Sequence, residues 1–429
     1  MTNSMSRYGV LGLCAVLGAQ VAAAQDSAPE AKATLVGFAS LPADTFQPGP
    51  NAGGNDGTGK PISANGRTGP FAGQPVQGFS GVQFAPGFGN FWFLSDNGFG
   101  SQANSADFLL RLHHAEPDFV HGLRLPGKTI LLGKGGVKLK GFVQFSDPGH
   151  LVPFPLVREN TPERWLTGAD FDVESVVVGT RDDFWIGDEF GPFILHFNAK
   201  GELLEAPVPT PNLKADRTLD ANAFVRAPQN PYLQGAAPNL GSSKGFEGMA
   251  YSPDRRTLYP LLEGTVAGDP ANALRIYEFD VKSSSFKRFV GWYSAPEGRS
   301  IGDFTPINAH EFLVIERDNN QGAVAVVKKI FKIDIASVDA NGFVSKEEVV
   351  DLLNVRDPLD LNKDGSTVFT FPFQTIEDVL VIDSDTILVA NDNNYPFSLG
   401  RGPDIDNDEM ILLKLNQHLR IDPRLYLHQ

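Results

Sequence analysis

One frame of acid, strand, turn, strand and acid recurs five times along this chain, and few folds accommodate it. The clearest copy is DFDVESVVVGTRDDFWIGDEFGPFILHFNAKGELL at 170–204. Residues 173–178 are apolar and β-branched, 180–183 read as a turn, and 184–187 and 193–197 read as two further strands. A second turn at 198–201 ends on Gly201, a residue that takes a positive φ without steric cost. Glu174 opens the first strand and Asp188-Glu189 closes the second. In an antiparallel pair those two points are neighbours. The other copies carry Glu247 and Glu263; Asp303 with Glu316 and Asp318; Glu377-Asp378 and Asp392; and Ser80 with Asp96. From first position to second, the spacings are 14, 16, 13, 15 and 16 residues, which suits two short strands and a turn. Repeated multi-strand units predict an all-β chain folded as a β-propeller. The first strand of each blade would line the channel, and the acids would ring one mouth of it.

Blade number follows from the gaps. The first two copies are 94 residues apart, against 73, 56 and 74 for the others. A degenerate blade in the long gap makes six blades, the first expectation; a decorated outer strand there leaves five. Strands at 33–41 and 421–427 would close the ring from both termini and remove two sheet edges.

The residues before the first strand read as an export signal, 1–24, ahead of a single propeller domain at 25–429. Arg7 is the positive n-region, 10–21 an apolar run too short to span a bilayer, and Ala22-Ala23-Ala24 a small-residue cleavage site before Gln25. The expectation is a periplasmic or secreted monomer with no membrane span after processing. The one cysteine, Cys14, falls in the signal, so neither disulfides nor zinc thiolates would hold the mature fold. The chain has 51 acidic and 36 basic residues, a net charge of −15. That argues against a nucleic-acid surface.

Acids converging from several blades make an oxygen-rich site of the kind calcium takes. The expected metal ligands are Asp96, Glu174, Asp188, Glu189, Glu247, Glu263, Glu316, Glu377 and Asp392, of which Glu189, Glu247 and Glu263, together with Asp318, are also candidates for general base. Lys244, Arg317 and Arg401 lie beside these acids in sequence and suit an anionic, phosphate-bearing small molecule. Two acid-rich turns are further calcium candidates. Asp360–Asp364 opens like an EF-hand loop but has Phe371 where the bidentate Glu belongs. Asp404, Asp406 and Asp408 alternate before the last strand.

Three other motifs lack the context their chemistry needs. Gly54…Gly59-Lys60 nearly matches a phosphate loop, but Pro61 replaces the magnesium-binding hydroxyl. Gly298-Arg-Ser300-Ile-Gly302 precedes a strand rather than joining strand to helix. The histidines have no metal-ligand spacing, and His196 and His310 read as structural.

Asp172-Val-Glu174-Ser, Trp185-Ile-Gly-Asp188-Glu189-Phe-Gly191-Pro192, Gly245-Phe-Glu247-Gly248, Glu316-Arg-Asp318 and Asn391-Asp392-Asn393-Asn394-Tyr-Pro-Phe resemble the phytase-like, "esterase-like activity of phytase" proteins of bacteria. The resemblance runs from about residue 35 to residue 415. Ser175 departs from the Glu-Gly pair seen at Glu247-Gly248. The resemblance implies a propeller related to calcium-dependent phytases, and a phosphoesterase or esterase activity. The functional expectation is calcium-dependent hydrolysis of phosphate esters. The alternatives are a calcium-dependent lactonase or carboxyl esterase, and a propeller that binds without catalysis.

Overall fold

The computed structural model describes residues 30–426; the expected signal lies outside them. Four four-stranded antiparallel sheets and one six-stranded sheet, whose antiparallel core is also four strands, make up five blades along the chain. Blade one is Phe79–Phe84, Phe91–Ser95, Arg111–Pro117 and Val137–Gln144. Blade two is Val173–Val178, Phe184–Asp188, Phe193–Phe197 and Val208–Pro209. Blade three is Gly248–Tyr251, Thr257–Leu261, Ala273–Asp280 and Ser285–Ser294. Blade four is Ser300–Pro306, Glu311–Arg317, Lys328–Val338 and Val344–Asp351. Blade five is Thr375–Val381, Thr386–Asp392 and Asp408–Leu415, completed by the N-terminal strand Ala33–Leu41. First strands of successive blades touch, and that of blade five touches that of blade one, so the ring is closed.

The count is therefore five rather than six. The long gap after blade one's second strand holds no extra blade. It holds a hairpin, His121–Leu125 with Lys128–Leu132, inserted before the outer strand Val137–Gln144. Closure is antiparallel, Ala33 opposite Leu415 through Leu41 opposite Asp408. The strand expected at 421–427 is not formed: 421–422 are irregular and a 3-10 turn follows at Pro423–Tyr426; residue 427 lies outside the described residues.

Packing explains why the inner strands are apolar without alternation. A blade's inner strand is covered on both faces by neighbouring blades, so every residue of Val173–Val178 is buried. Val176 and Val178 pack toward blade one, while Val177 packs with Met249 and Tyr251 of blade three. Five such inter-blade cores hold the ring, each burying large side chains at roughly 1.5–3 kcal/mol apiece.

The inner strands of blades one, two, four and five each carry a register break near the mouth: Phe79/Val82, Val173/Ser175, Ile301/Phe304 and Ile376/Asp378. A bulge re-aims the residue it displaces. Ser80, Glu174, Gly302 and Glu377 occupy this slot, and Glu247 stands in the equivalent place before Gly248.

Candidate active site

Eight carboxylates gather at the channel mouth: Asp96, Asp172, Glu174, Glu189, Glu247, Glu263, Glu377 and Asp392. All but Asp96 are buried. The inner-strand slot supplies Glu174, Glu247 and Glu377. The ends of second strands, or the residues just after, supply Asp96, Glu189, Glu263 and Asp392. Gly245 lets two blades meet here, because a Cβ on it would lie 2.4 Å from the Glu189 Cα.

Two triads are tightest. Ligand oxygens of Asp172, Glu174 and Glu189 lie within 4.8 Å of one another, and so do those of Glu189, Glu247 and Glu263. Glu189 belongs to both. Two cations border them. Arg317 Nη2 is 2.5 Å from Glu377 Oε1, 3.5 Å from Glu247 Oε1 and 4.0 Å from Glu263 Oε1. Half-buried Lys244 pairs with Glu263. Ser243 Oγ donates to Asp172 Oδ2 at 2.9 Å, and Ser80 Oγ to Glu377 Oε2 at 3.2 Å.

Crowding shows in the protonation equilibria. Burial, then repulsion from Glu263 and its neighbours, pushes Glu189 and Glu247 well above the usual carboxylate range. Burial and then Asp172 do the same to Glu174; Asp96 is partly exposed as a residue, but its carboxyl group is enclosed, and that enclosure and then Asp392 raise it likewise. Asp392 rises to about 7 through burial and then Glu377. Asp172 Oδ1, Glu189 Oε1 and Glu247 Oε1 are buried and accept no hydrogen bond. Orphaned oxygens in a carboxylate-only set fit a hard divalent cation. Both triads have the chemistry to hold one.

Four of the expected residues stand elsewhere. Glu316 points away from Arg317, as successive strand residues must; Tyr293, Arg299 and Lys346 take its carboxylate between blades three and four. Asp318 holds the loop after it, accepting from the N–H groups of Val326 at 2.9 Å and Val327 at 3.0 Å and pairing with Lys328 at 3.1 Å. Against the pull of burial, those contacts keep its carboxyl below the usual range. Arg401 is forked onto Glu409 and stacked over Phe369 and Phe373, with no ring acid among its partners. Asp188 accepts from the N–H groups of Asp172 and Gly191 and so braces the ring segment rather than facing the centre.

Asp172 is the ring member that the repeat spacing does not reveal. It lies two residues before Glu174, just ahead of the strand, and the bulge at Val173/Ser175 turns Glu174 so that the two carboxylates come within 4.8 Å. Blade four has no slot acid because Gly302 occupies the slot: a Cβ there would lie 2.0 Å from the Ile376 carbonyl oxygen.

The other motifs have structural employment. The N–H groups of Gly53 and Gly54 in the phosphate-loop look-alike donate to Asp107. Phe371, at the EF-hand twelfth position, is fully buried, and Asp360 binds the Gly365 N–H. Asp404, Asp406 and Asp408 diverge, to Arg67, to the Gly400 and Arg401 N–H groups, and into the blade. His196 stacks on Trp185 between Asp183 and Glu205. Two surface cavities, about 680 and 720 Å³, open at the turns opposite the mouth. No helix among the described residues is long and apolar enough to cross a membrane.

The chain is similar to an uncharacterised secreted protein of Arthroderma benhamiae, 26% identical over 182 residues, which is 36% of this chain and 35% of that protein. The aligned part thus spans about a third of that relative's length. Among solved structures it is similar to the arabinanase Arb43A of Bacillus subtilis (8% identity, 80% of this chain and 96% of that one, TM-score 0.36). It is also similar to the periplasmic gluconolactonase of Pseudomonas aeruginosa (12% identity, 90% and 98%, TM-score 0.31). The model of the family described as "Phytase-like: Esterase-like activity of phytase" matches residues 74–395, which takes in four blades and part of the fifth, and the chain belongs to that family.

Proposed function

We propose that this protein is an exported hydrolase of phosphate esters that works with calcium at the channel mouth. The observation that carries the reading is the pair of carboxylate triads sharing Glu189, with an orphaned oxygen on Asp172, Glu189 and Glu247. Eight carboxylates against two cations leave a charge excess that only protons or added cations can neutralise. A divalent ion held there would offset the ester's negative oxygens and acidify a water molecule.

The chain's own residues do the rest. Asp172, Glu174 and Glu189 form one ligand set, and Glu189 joins it to Glu263. Glu247 is the general base: its Oε1 accepts no hydrogen bond and has the Arg317 guanidinium beside it, and burial followed by repulsion from Glu263 raises its proton affinity. Arg317 and Lys244 sit at the edge of the same cluster. Their pairing with acids is exchangeable for pairing with phosphate oxygens once the acids ligate metal. The family description and the secreted relative agree with a secreted ester hydrolase.

One feature favours a second reading, a lactonase or carboxyl esterase. Val324, Val326, Phe397 and Leu399 are exposed on mouth-side loops, giving an apolar rim that suits an ester with a hydrocarbon part. Turnover of phytate, p-nitrophenyl phosphate, acyl esters and lactones, each with calcium and with chelator, separates the readings. Calcium-dependent phosphate release supports the first. Turnover of acyl esters or lactones alone supports the second. No turnover of any substrate by metal-loaded protein overturns both and leaves a propeller that binds without catalysis.

A further inference from the structure

Blade one presents an apolar, basic surface on the side of the ring away from the mouth. Its first two strands meet there in the turn 85–90, while Ser80 and Asp96, at their other ends, stand at the mouth. Phe88 sits in that turn and is fully exposed. It borders the cavity of about 720 Å³ that opens there, walled also by Phe84, Phe91, Phe119, Ile382 and Leu412, and His121 completes the wall on the hairpin side.

His121 is also the first residue of the hairpin that fills the long gap, and strand register shows which side of that hairpin is free. His121 is opposite Leu132, Leu123 opposite Ile130 and Leu125 opposite Lys128. Directly opposed residues share a face, and alternate residues along a strand do too. One face is therefore His121, Leu123, Leu125, Lys128, Ile130 and Leu132. The other face is turned toward the protein, since a Cβ on Gly122 would lie 2.3 Å from Leu359 Cδ1. On the first face Leu123, Leu125 and Leu132 are 42, 39 and 40% exposed. Single exposed leucines are ordinary; three on one face, joined through His121 to an apolar groove and a fully exposed phenylalanine, mark an interaction surface.

Charge identifies what covers it. Residues 119–145 contain five bases, Arg124, Lys128, Lys134, Lys138 and Lys140, and no acid, in a chain whose net charge is −15. Lys140 pairs with Glu116 at 3.3 Å. Lys128, Lys134 and Lys138 are exposed, and no carboxylate among the described residues pairs with them. Asp118 is the one acid on the groove's lining. Apolar side chains bordered by unpaired lysines suit the interface of an anionic bilayer, where the hydrocarbon enters the acyl boundary and the ammonium groups stay among the headgroup phosphates. A second copy of the chain suits it less, because a two-fold interface sets the same patch, and so the same bases, against itself.

We propose that the 121–132 hairpin and the Phe88 turn form a peripheral docking surface for an anionic phospholipid bilayer. Docking there holds the propeller at a membrane surface with the channel mouth on the far side, open to soluble substrate. It does not depend on the chemistry proposed for the mouth.

The test is co-sedimentation with vesicles of phosphatidylcholine alone and of phosphatidylcholine with phosphatidylglycerol in equal parts. Wild type is compared with two double variants, Phe88→Ser with Leu123→Ser and Lys128→Gln with Lys134→Gln. Residues 1–24 are treated alike in all three, so their contribution cancels. Wild type should bind the anionic vesicles at least about tenfold more tightly than the neutral ones. The serine pair should weaken binding about tenfold or more. The glutamine pair should weaken it about tenfold and flatten its dependence on salt. Turnover of soluble substrate should be the same in all three. Phe88→Trp keeps a large aromatic ring and serves should the serine pair not fold: its added emission should shift to the blue with anionic vesicles. No vesicle binding by wild type, equal binding to both vesicles, binding that neither double variant changes, or an unshifted emission from Phe88→Trp overturns the proposal. So does a dimer in solution that the serine pair dissolves while vesicles leave wild type in the supernatant, an outcome that assigns the face to a second copy.

Discussion

Glu316 and Arg317 are consecutive residues on one strand, and they face two kinds of buried charge. On the Glu316 side a single carboxylate meets two cations, Arg299 and Lys346, and the Tyr293 hydroxyl. On the Arg317 side eight carboxylates meet two cations, and three buried oxygens accept no hydrogen bond. Burial is the same in both places. The balance of charge is not, and imbalance rather than burial separates a site from a strut. A matched cluster is complete and holds blades three and four together. An unmatched one is complete only with something added.

The sharpest way to break the contrast is a matched pair of substitutions. Glu247→Gln keeps volume and removes one carboxylate from the ring; it should cost roughly 10²–10⁴ in turnover with the fold preserved by circular dichroism. Glu316→Gln should do the opposite. It leaves Arg299 and Lys346 facing a neutral amide and should lower unfolding free energy by about 3 kcal/mol, with kcat of the folded fraction unchanged. If Glu247→Gln retains full activity on the substrate found by screening, the ring is a solvated rim.

The propeller was legible because a repeat states itself: three strands of blade two fall at the expected places, and the slot acids recur at a spacing only a hairpin explains. Blade count was not, because 94 residues of sequence do not distinguish a weak blade from the hairpin at His121–Leu125 and Lys128–Leu132. Within the site, Glu174, Glu189, Glu247, Glu263 and Glu377 were readable from the frame. Glu316 and Arg317 were not separable, since alternation decides which of two neighbours faces inward and a one-residue shift reverses the answer. Arg401 and Asp318 sit on loops, where sequence proximity to an acid says nothing about which acid it meets.

The next effect in size is on stability, through pH and metal together. Without metal, Asp96, Asp172, Glu174, Glu189 and Glu247 have proton affinities raised above their unfolded values of about 4, and Asp392 reaches about 7. The folded state therefore binds more protons than the unfolded state between those limits, and stability falls as pH rises through them. Metal-free protein should melt lower at pH 8 than at pH 5. Calcium should remove most of that slope, because it takes the place of the protons. Calorimetric titration in two buffers of different ionisation enthalpy should show proton release on binding. A metal-free melting temperature that rises steadily from pH 5 to pH 8 would contradict the charge imbalance itself.

The smallest predicted effects distinguish the arginines. Arg317 lies among ring acids, so Arg317→Lys, which gives up the planar fork, should raise KM for an anionic ester about tenfold. Arg401→Lys loses the fork onto Glu409 and the stack over Phe369 and Phe373. Its cost should be on the order of 1–2 kcal/mol of stability, with KM and kcat as in wild type. The split matters more than either number. A KM change in Arg401→Lys equal to that in Arg317→Lys would mean that substrate reaches beyond the mouth to the 400–409 loop. The matched Arg401–Glu409 pair would then belong to the site, and charge balance would no longer mark where the site ends.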